Sequence, residues 1–145
     1  MNTEILYGKS NLNIELPENS VLIEPKPIPA LENDEQAIRD ALRNPIDLDP
    51  LEDLVQPNQT VSIVISDITR PTPNHILVPL IVESLAHVPL ENIVIINGTG
   101  THRDQTKDEL IQMLGEDIVN NIRIVHNHCN DKQTLKKVEI GRAHV

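Results

Sequence analysis

Apolar positions in the second half of the chain fall into short runs that alternate between two periods. Residues 60–66 read Thr-Val-Ser-Ile-Val-Ile-Ser, a β-branched run suited to a buried strand. After a polar turn, Ile76, Leu77, Leu80, Ile81 and Leu85 have helical spacing and predict a helix over residues 74–88, with Pro79 near its first turns. Residues 93–96 form a second strand pattern. Thr106 with Glu109 three residues later is a capping box for a helix that runs to about Leu114 and stops at Gly115. Residues 122–125 predict a third strand.

The first 60 residues are less regular. Residues 4–7 and 12–16 read as strands around a Gly8-Lys9-Ser10-Asn11 turn, with a third short strand at residues 21–24. The Lys26-Pro27-Ile28-Pro29 segment is extended, because each proline biases the residue before it away from helix. Asn33 or Asp34 caps a helix to about Arg43, with Leu31, Ile38, Ala41 and Leu42 on one side. A short helical turn is expected within residues 48–55.

The order strand, helix, strand, helix, strand over about residues 60–126 predicts an α/β fold. Its core is a mostly parallel βαβαβ sheet with right-handed crossovers, preceded by short N-terminal strands and a helix. A chain of 145 residues suffices for one domain with a real core. With one tyrosine, Tyr7, and no Phe or Trp, that core is aliphatic. The same lack removes aromatic platforms for stacking bases. The formal net charge of -10 argues further against binding a phosphate backbone, so no nucleic-acid partner is expected. Residues 1–60 hold 12 acidic and 4 basic side chains, and residues 61–145 hold 10 and 8. The acidity therefore belongs to the lead-in, as a solvated surface. Cys129 is the only cysteine, which excludes an intrachain disulfide. The start has no signal-peptide pattern and no apolar run reaches membrane-spanning length, so a soluble cytoplasmic protein without a membrane partner is expected.

In an open parallel sheet, ligands bind beyond the carboxyl ends of the strands. Here those turns read DITRPTP, NGTGTHR and HNHCND, and they bring together Asp67, Arg70, His102, Arg103, His126 and His128. His75 begins the helix after the first turn. Gly98 and Gly100 suit a loop in which backbone approaches a ligand or takes positive φ. Taken singly, Asp67 reads as a turn residue and Arg70 as a surface cation. Together, the carboxylate could orient the guanidinium for bidentate recognition of a substrate carboxylate. His102 after a glycine-rich strand end suits proton transfer near neutrality. His126, His128 and Cys129 make only a partial zinc set, since a structural site needs four ligands. The Gly-x-Gly of NGTGTHR lacks the third glycine of a dinucleotide fingerprint.

The segment Ser66-Asp67-Ile68-Thr69-Arg70-Pro71-Thr72-Pro73 resembles the Asp-x-Thr-Arg segment of the nickel-dependent lactate racemase family, and Gly100-Thr101-His102-Arg103 resembles its Gly-Thr-His-Arg segment. The resemblance is weak before residue 60 and strong from Val61 to about Asp131. It implies an α/β N-terminal domain, residues 1–140, facing a second domain with the active site between them. The implied cofactor is a nickel pincer nucleotide, and the implied reaction is racemisation or epimerisation of a 2-hydroxy acid by hydride abstraction and return. It assigns His102 as the catalytic acid/base, Arg70 and Asp67 to the substrate, and Thr69 and Gly100 to the cofactor, with no metal ligand in this chain. Asp104 departs from the family's usual proline and Cys129 from its usual aspartate. The family's second catalytic histidine, cofactor-anchoring lysine and nickel-binding histidine lie farther along than this chain reaches, so the chain alone is expected to be inactive and to need a C-terminal domain.

Residues 141–145, Gly-Arg-Ala-His-Val, read as a non-native, adapter-encoded tail. Two other readings stand beside the racemase. One is a non-catalytic α/β module binding a small anion or nucleotide. The other is a zinc hydrolase using His102, His126 and His128.

Overall fold

The computed structural model describes residues 1–133. The expected tail at residues 141–145 lies outside the described residues. The chain divides into two compact units, Met1–Leu31 and the remainder from Glu32.

In the first unit, β1 (Asn2–Tyr7) and β2 (Ser10–Glu15) pair antiparallel, with Tyr7 opposite Ser10. The connecting loop is therefore the two residues Gly8-Lys9, shorter than the four-residue turn expected from the sequence. Gly8, at φ 64°, takes the positive-φ first position that a two-residue hairpin turn demands. Residues 21–24 form no strand, contrary to expectation. They lack a partner strand, and Pro17, Pro25, Pro27 and Pro29 around them carry no N–H to donate to a ladder.

The second unit begins with α1 (Asp34–Arg43). Its N-cap is Asn33, whose side-chain oxygen accepts from the Gln36 N–H at 2.9 Å. A single helical turn, α2 (Leu51–Leu54), follows. Then come β3 (Val61–Ser66), α3 (Asn74–Ser84), β4 (Ile93–Gly98), α4 (Lys107–Leu114), α5 (Glu116–Asn121) and β5 (Arg123–His126). The three strands form a parallel sheet in the order β3-β4-β5, as the alternation of patterns predicts. Helix α3 is four residues shorter than expected. It stops at Ser84, and residues 85–88 continue as turns that bury Leu85 and Val88 ahead of Pro89. The capping box at Thr106 and Glu109 is formed in both directions. Helix α5 was not legible as a separate element. Gly115, at φ 88°, breaks the chain's course, and a six-residue helix restarts to bury Ile118.

Ile93 and Ile95 of β4, Val78 and Leu85 of the α3 region, and Leu110 and Leu114 of α4 form the centre of the core. Strand β3 is not buried on both faces. Ile65 is buried whereas Val64 is 70% exposed, because only one face of this edge strand packs into the core cluster. Among the described residues, no helix is long and apolar enough to cross a membrane.

Candidate functional site at the strand ends

Parallel pairing in register carries the ends of β3 and β4 to the same level, with Ser66 opposite Gly98, and sets Asn97 beside His126 of β5. Asp67, the first residue after β3, is only 3% exposed. Its backbone carbonyl accepts from the Arg70 N–H at 3.1 Å, which closes the turn. Its Oδ1 accepts from the Thr69 hydroxyl at 2.6 Å and from the Thr69 N–H at 3.3 Å. Its Oδ2 lies 2.5 Å from Nδ1 of His102, on the turn after β4. The Thr69 hydroxyl first, and His102 second, hold the Asp67 carboxyl below its ordinary value. An ionised carboxylate can only accept, so Nδ1 of His102 is the donor in this contact, and Nε2 is the ring nitrogen left to exchange a proton. The His102 side chain is 52% exposed while that of Asp67 is 4% exposed, so the carboxylate is held inside and the imidazole projects outward.

A cavity of about 220 Å³ is lined by Asp67, Arg70, Gly98, Gly100 and His102 together with neighbouring turn residues. Among the described residues, Arg70 is the one permanent cation lining it, and no ion pair engages its guanidinium. A second, larger groove of about 550 Å³ shares Gly100 and His102 and continues along Asn127, His128 and Cys129. Gly100 has φ 60°, and a Cβ built there would meet nothing within 4 Å, so backbone at this point borders open space on the cavity side.

The structure thus gathers Asp67, Arg70, Gly100 and His102 around one opening and places Thr69 directly behind Asp67. It changes one pairing. Asp67 orients His102 rather than the guanidinium of Arg70, because both of its oxygens are taken by Thr69 and His102. Arg103 also leaves the opening and turns to Glu109. His75 is exposed in the first turn of α3 and lines neither cavity. Nδ1 of His128 lies 3.7 Å from Oδ1 of Asp104. His126 faces Asn97 rather than joining His128. Among the described residues, no three His, Cys, Asp or Glu side chains converge to hold a metal ion.

Residues that the sequence reading passed over support the site from below. Asn97 is fully buried, and its amide donates to Gln105 and to Nδ1 of His126, the latter at 3.4 Å. Its Oδ1 has no partner among the described residues. The Thr99 hydroxyl donates to the Asn127 carbonyl at 2.9 Å, and the Asn127 N–H donates to the Asn97 carbonyl at 3.0 Å, so the turns after β4 and β5 are tied together. The signal for Asn97 was its parity. It shares the inward face of Ile93 and Ile95, where an amide is out of place unless it organises something.

A parallel sheet with a buried carboxylate, an outward imidazole and a guanidinium that no described ion pair engages, all at its carboxyl edge, defines an α/β protein with a polar, ionisable strand-end site. The comparisons with known proteins give that class a family. The description of the lactate racemase N-terminal domain matches residues 7–144, and the chain belongs to this family. It is 38% identical over 107 residues to a lactate racemase of Lactiplantibacillus plantarum, covering 73% of this chain and 25% of that protein. It is 34% identical over 142 residues to a lactate racemase of Thermoanaerobacterium thermosaccharolyticum, covering 94% of this chain and 33% of that one. The solved structure of the lactate racemase apoprotein from Thermoanaerobacterium thermosaccharolyticum superposes with a TM-score of 0.74 at 31% identity, over 92% of this chain and 31% of that chain. The chain therefore spans a quarter to a third of the length of these relatives.

Proposed function

We propose that this chain supplies the acid/base and substrate-carboxylate half of a 2-hydroxy acid racemase active site, with lactate as the substrate named by its relatives. The observation that carries this reading is the Asp67–His102 pair beside Arg70, which no ion pair among the described residues engages, at one opening. Arg70 would bind the substrate carboxylate through its planar fork. That fixes the α-hydroxyl near His102, where Nε2 accepts its proton as the α-carbon is oxidised and returns it when the alcohol is reformed. Asp67 steadies the imidazolium that results and keeps its orientation, while the Thr69 hydroxyl holds Asp67 in place.

Removal of hydride from carbon exceeds what amino-acid side chains do, and a nickel pincer nucleotide, when bound, would supply that acceptor. The groove of about 550 Å³ falls in the size range of ligand sites, and the open space at Gly100 fits the approach of an organic group. In this reading Gly100 borders that group. Thr69 acts behind Asp67 rather than as a direct contact, because its hydroxyl proton is already committed. By the resemblance to the lactate racemase family, the metal and the rest of the cofactor would be held by a second domain. The reading places the protein in the cytoplasm, in keeping with its lone cysteine.

The test is racemisation of lactate by a longer protein that carries this chain and its remaining domain, loaded with cofactor. Arg70→Ala and His102→Ala are each expected to abolish it. Retained racemisation in both would overturn the assignment.

A further inference from the structure

The residues from His102 to Gln105 are tied to the framework by hydrogen bonds, and the tie that reaches α4 is made by Arg103. Its Nη1 and Nη2 donate to Oε2 and Oε1 of Glu109 at 2.8 and 2.7 Å, a two-pronged contact. Nη1 also donates to the Asp104 carbonyl at 2.9 Å. Glu109 in turn accepts from the Thr106 N–H at 2.9 Å, the returning half of the capping box. On the inner side, Gln105 donates to the Arg103 carbonyl at 3.2 Å and is itself held by buried Asn97. Upstream, the His102 N–H donates to the Thr99 carbonyl at 3.0 Å.

Arg103 lines neither cavity, although it adjoins His102 in sequence. Its side chain is 66% exposed, so an ion pair there adds little to stability. Its consequence is geometric. The guanidinium joins the loop bearing His102 to the first turn of α4, which is anchored in the core through Leu110 and Leu114.

We propose that Arg103 is a positioning residue that acts through Glu109 to hold the His102 imidazole against Asp67. Its role in a reaction rests on the function proposed above, but the geometry it enforces can be read without any reaction. Glu109 is well chosen as its partner. Arg103 is the leading influence that holds its carboxyl down, to about 2, so the charge on which the clamp depends persists through the acid range. Glu109→Gln separates the two duties of this residue, because glutamine still completes a capping box but no longer offers a carboxylate to arginine.

The experiment is ¹⁵N-histidine NMR of the full protein, with the His102 signal assigned by its loss in His102→Gln. The readouts are the share of the Nδ1–H tautomer and the exchange lifetime of that proton. The wild-type signal is expected to show Nδ1–H held at Asp67. Arg103→Ala and Glu109→Gln are each expected to shorten the proton's lifetime about tenfold and mix the tautomers, and the double variant is expected to be no worse than either single one. Arg103→Lys restores charge without the fork and is expected to rescue only in part. In the cofactor-loaded enzyme, kcat should fall about ten- to a hundredfold with KM little changed. An unchanged His102 signal in both folded single variants, or an additive loss in the double, overturns the proposal. Because the NMR reading is indifferent to racemisation, failure of the proposed function would leave this test standing.

Discussion

Asp67 and His102 stand 35 residues apart in the chain, yet Oδ2 of one lies 2.5 Å from Nδ1 of the other. The contact exists because β3 and β4 are parallel and in register, so that the first turn beyond each strand opens on the same edge. A buried carboxylate behind a half-exposed imidazole fixes which ring nitrogen is free to take a proton.

Asp67→Asn keeps the size of the side chain but offers an amide to Nδ1 and removes the charge that steadies an imidazolium. In the cofactor-loaded enzyme it is expected to lower kcat by about 10²- to 10⁴-fold. KM for lactate should change far less, since Asp67 is buried behind His102. Steady-state kinetics in both directions of racemisation check this. An equal rise in KM with unchanged kcat would place Asp67 in binding instead.

Much of this arrangement was legible in the sequence, and its limits are physical. The β-branched run of β3 and the capping box at Thr106 are local signals, and they placed the parallel core and the turns at its carboxyl edge. The partner of Asp67 was not local. Sequence put a carboxylate and a guanidinium at one strand end and suggested that they meet, whereas the fold gives both carboxylate oxygens to Thr69 and His102. Asn97 and Gln105 were missed because an amide buried beneath a site carries no motif beyond its parity with Ile93 and Ile95. Helix α5 was missed because Gly115 ends one helix, and the short stretch from Glu116 to Ile122 before β5 leaves too little sequence for a periodic signal.

Arg70→Lys keeps a cation at the opening but loses the planar fork. It is expected to lower kcat/KM for lactate about ten- to a hundredfold, with most of the loss in KM. The variant should also discriminate less well between lactate and lactamide. Competition between the two ligands measures this directly, and undiminished preference for the acid would contradict a carboxylate-binding role.

Glu109 makes an acid-range prediction with a definite sign. Its folded carboxyl sits at about 2 against an ordinary 4.5, so its ionised form favours the folded state. That contribution is fully present above about pH 4.5 and is lost as pH falls toward 2. Asp67, lowered as well, acts in the same direction. Because the Arg103–Glu109 pair is solvent-screened, denaturant titrations from pH 6 to pH 2 should show a small fall in stability across this window, slightly shallower in Glu109→Gln.

The two faces of the sheet should respond differently to truncation. Ile95 is fully buried, and Ile95→Ala is expected to cost about 2–5 kcal/mol. Val64 is 70% exposed, and Val64→Ala is expected to fall within about 0.5 kcal/mol of wild type. Urea unfolding of the two variants checks the assignment of core and open faces.

The most direct measurement follows the conversion of L-lactate to D-lactate by the full-length, cofactor-loaded enzyme carrying His102→Ala, with and without added imidazole. The expected result is a loss of at least about 100-fold in kcat, partly restored by imidazole occupying the vacated space beside Asp67. Racemisation at the wild-type rate in His102→Ala without imidazole would contradict the assignment of proton transfer to this residue.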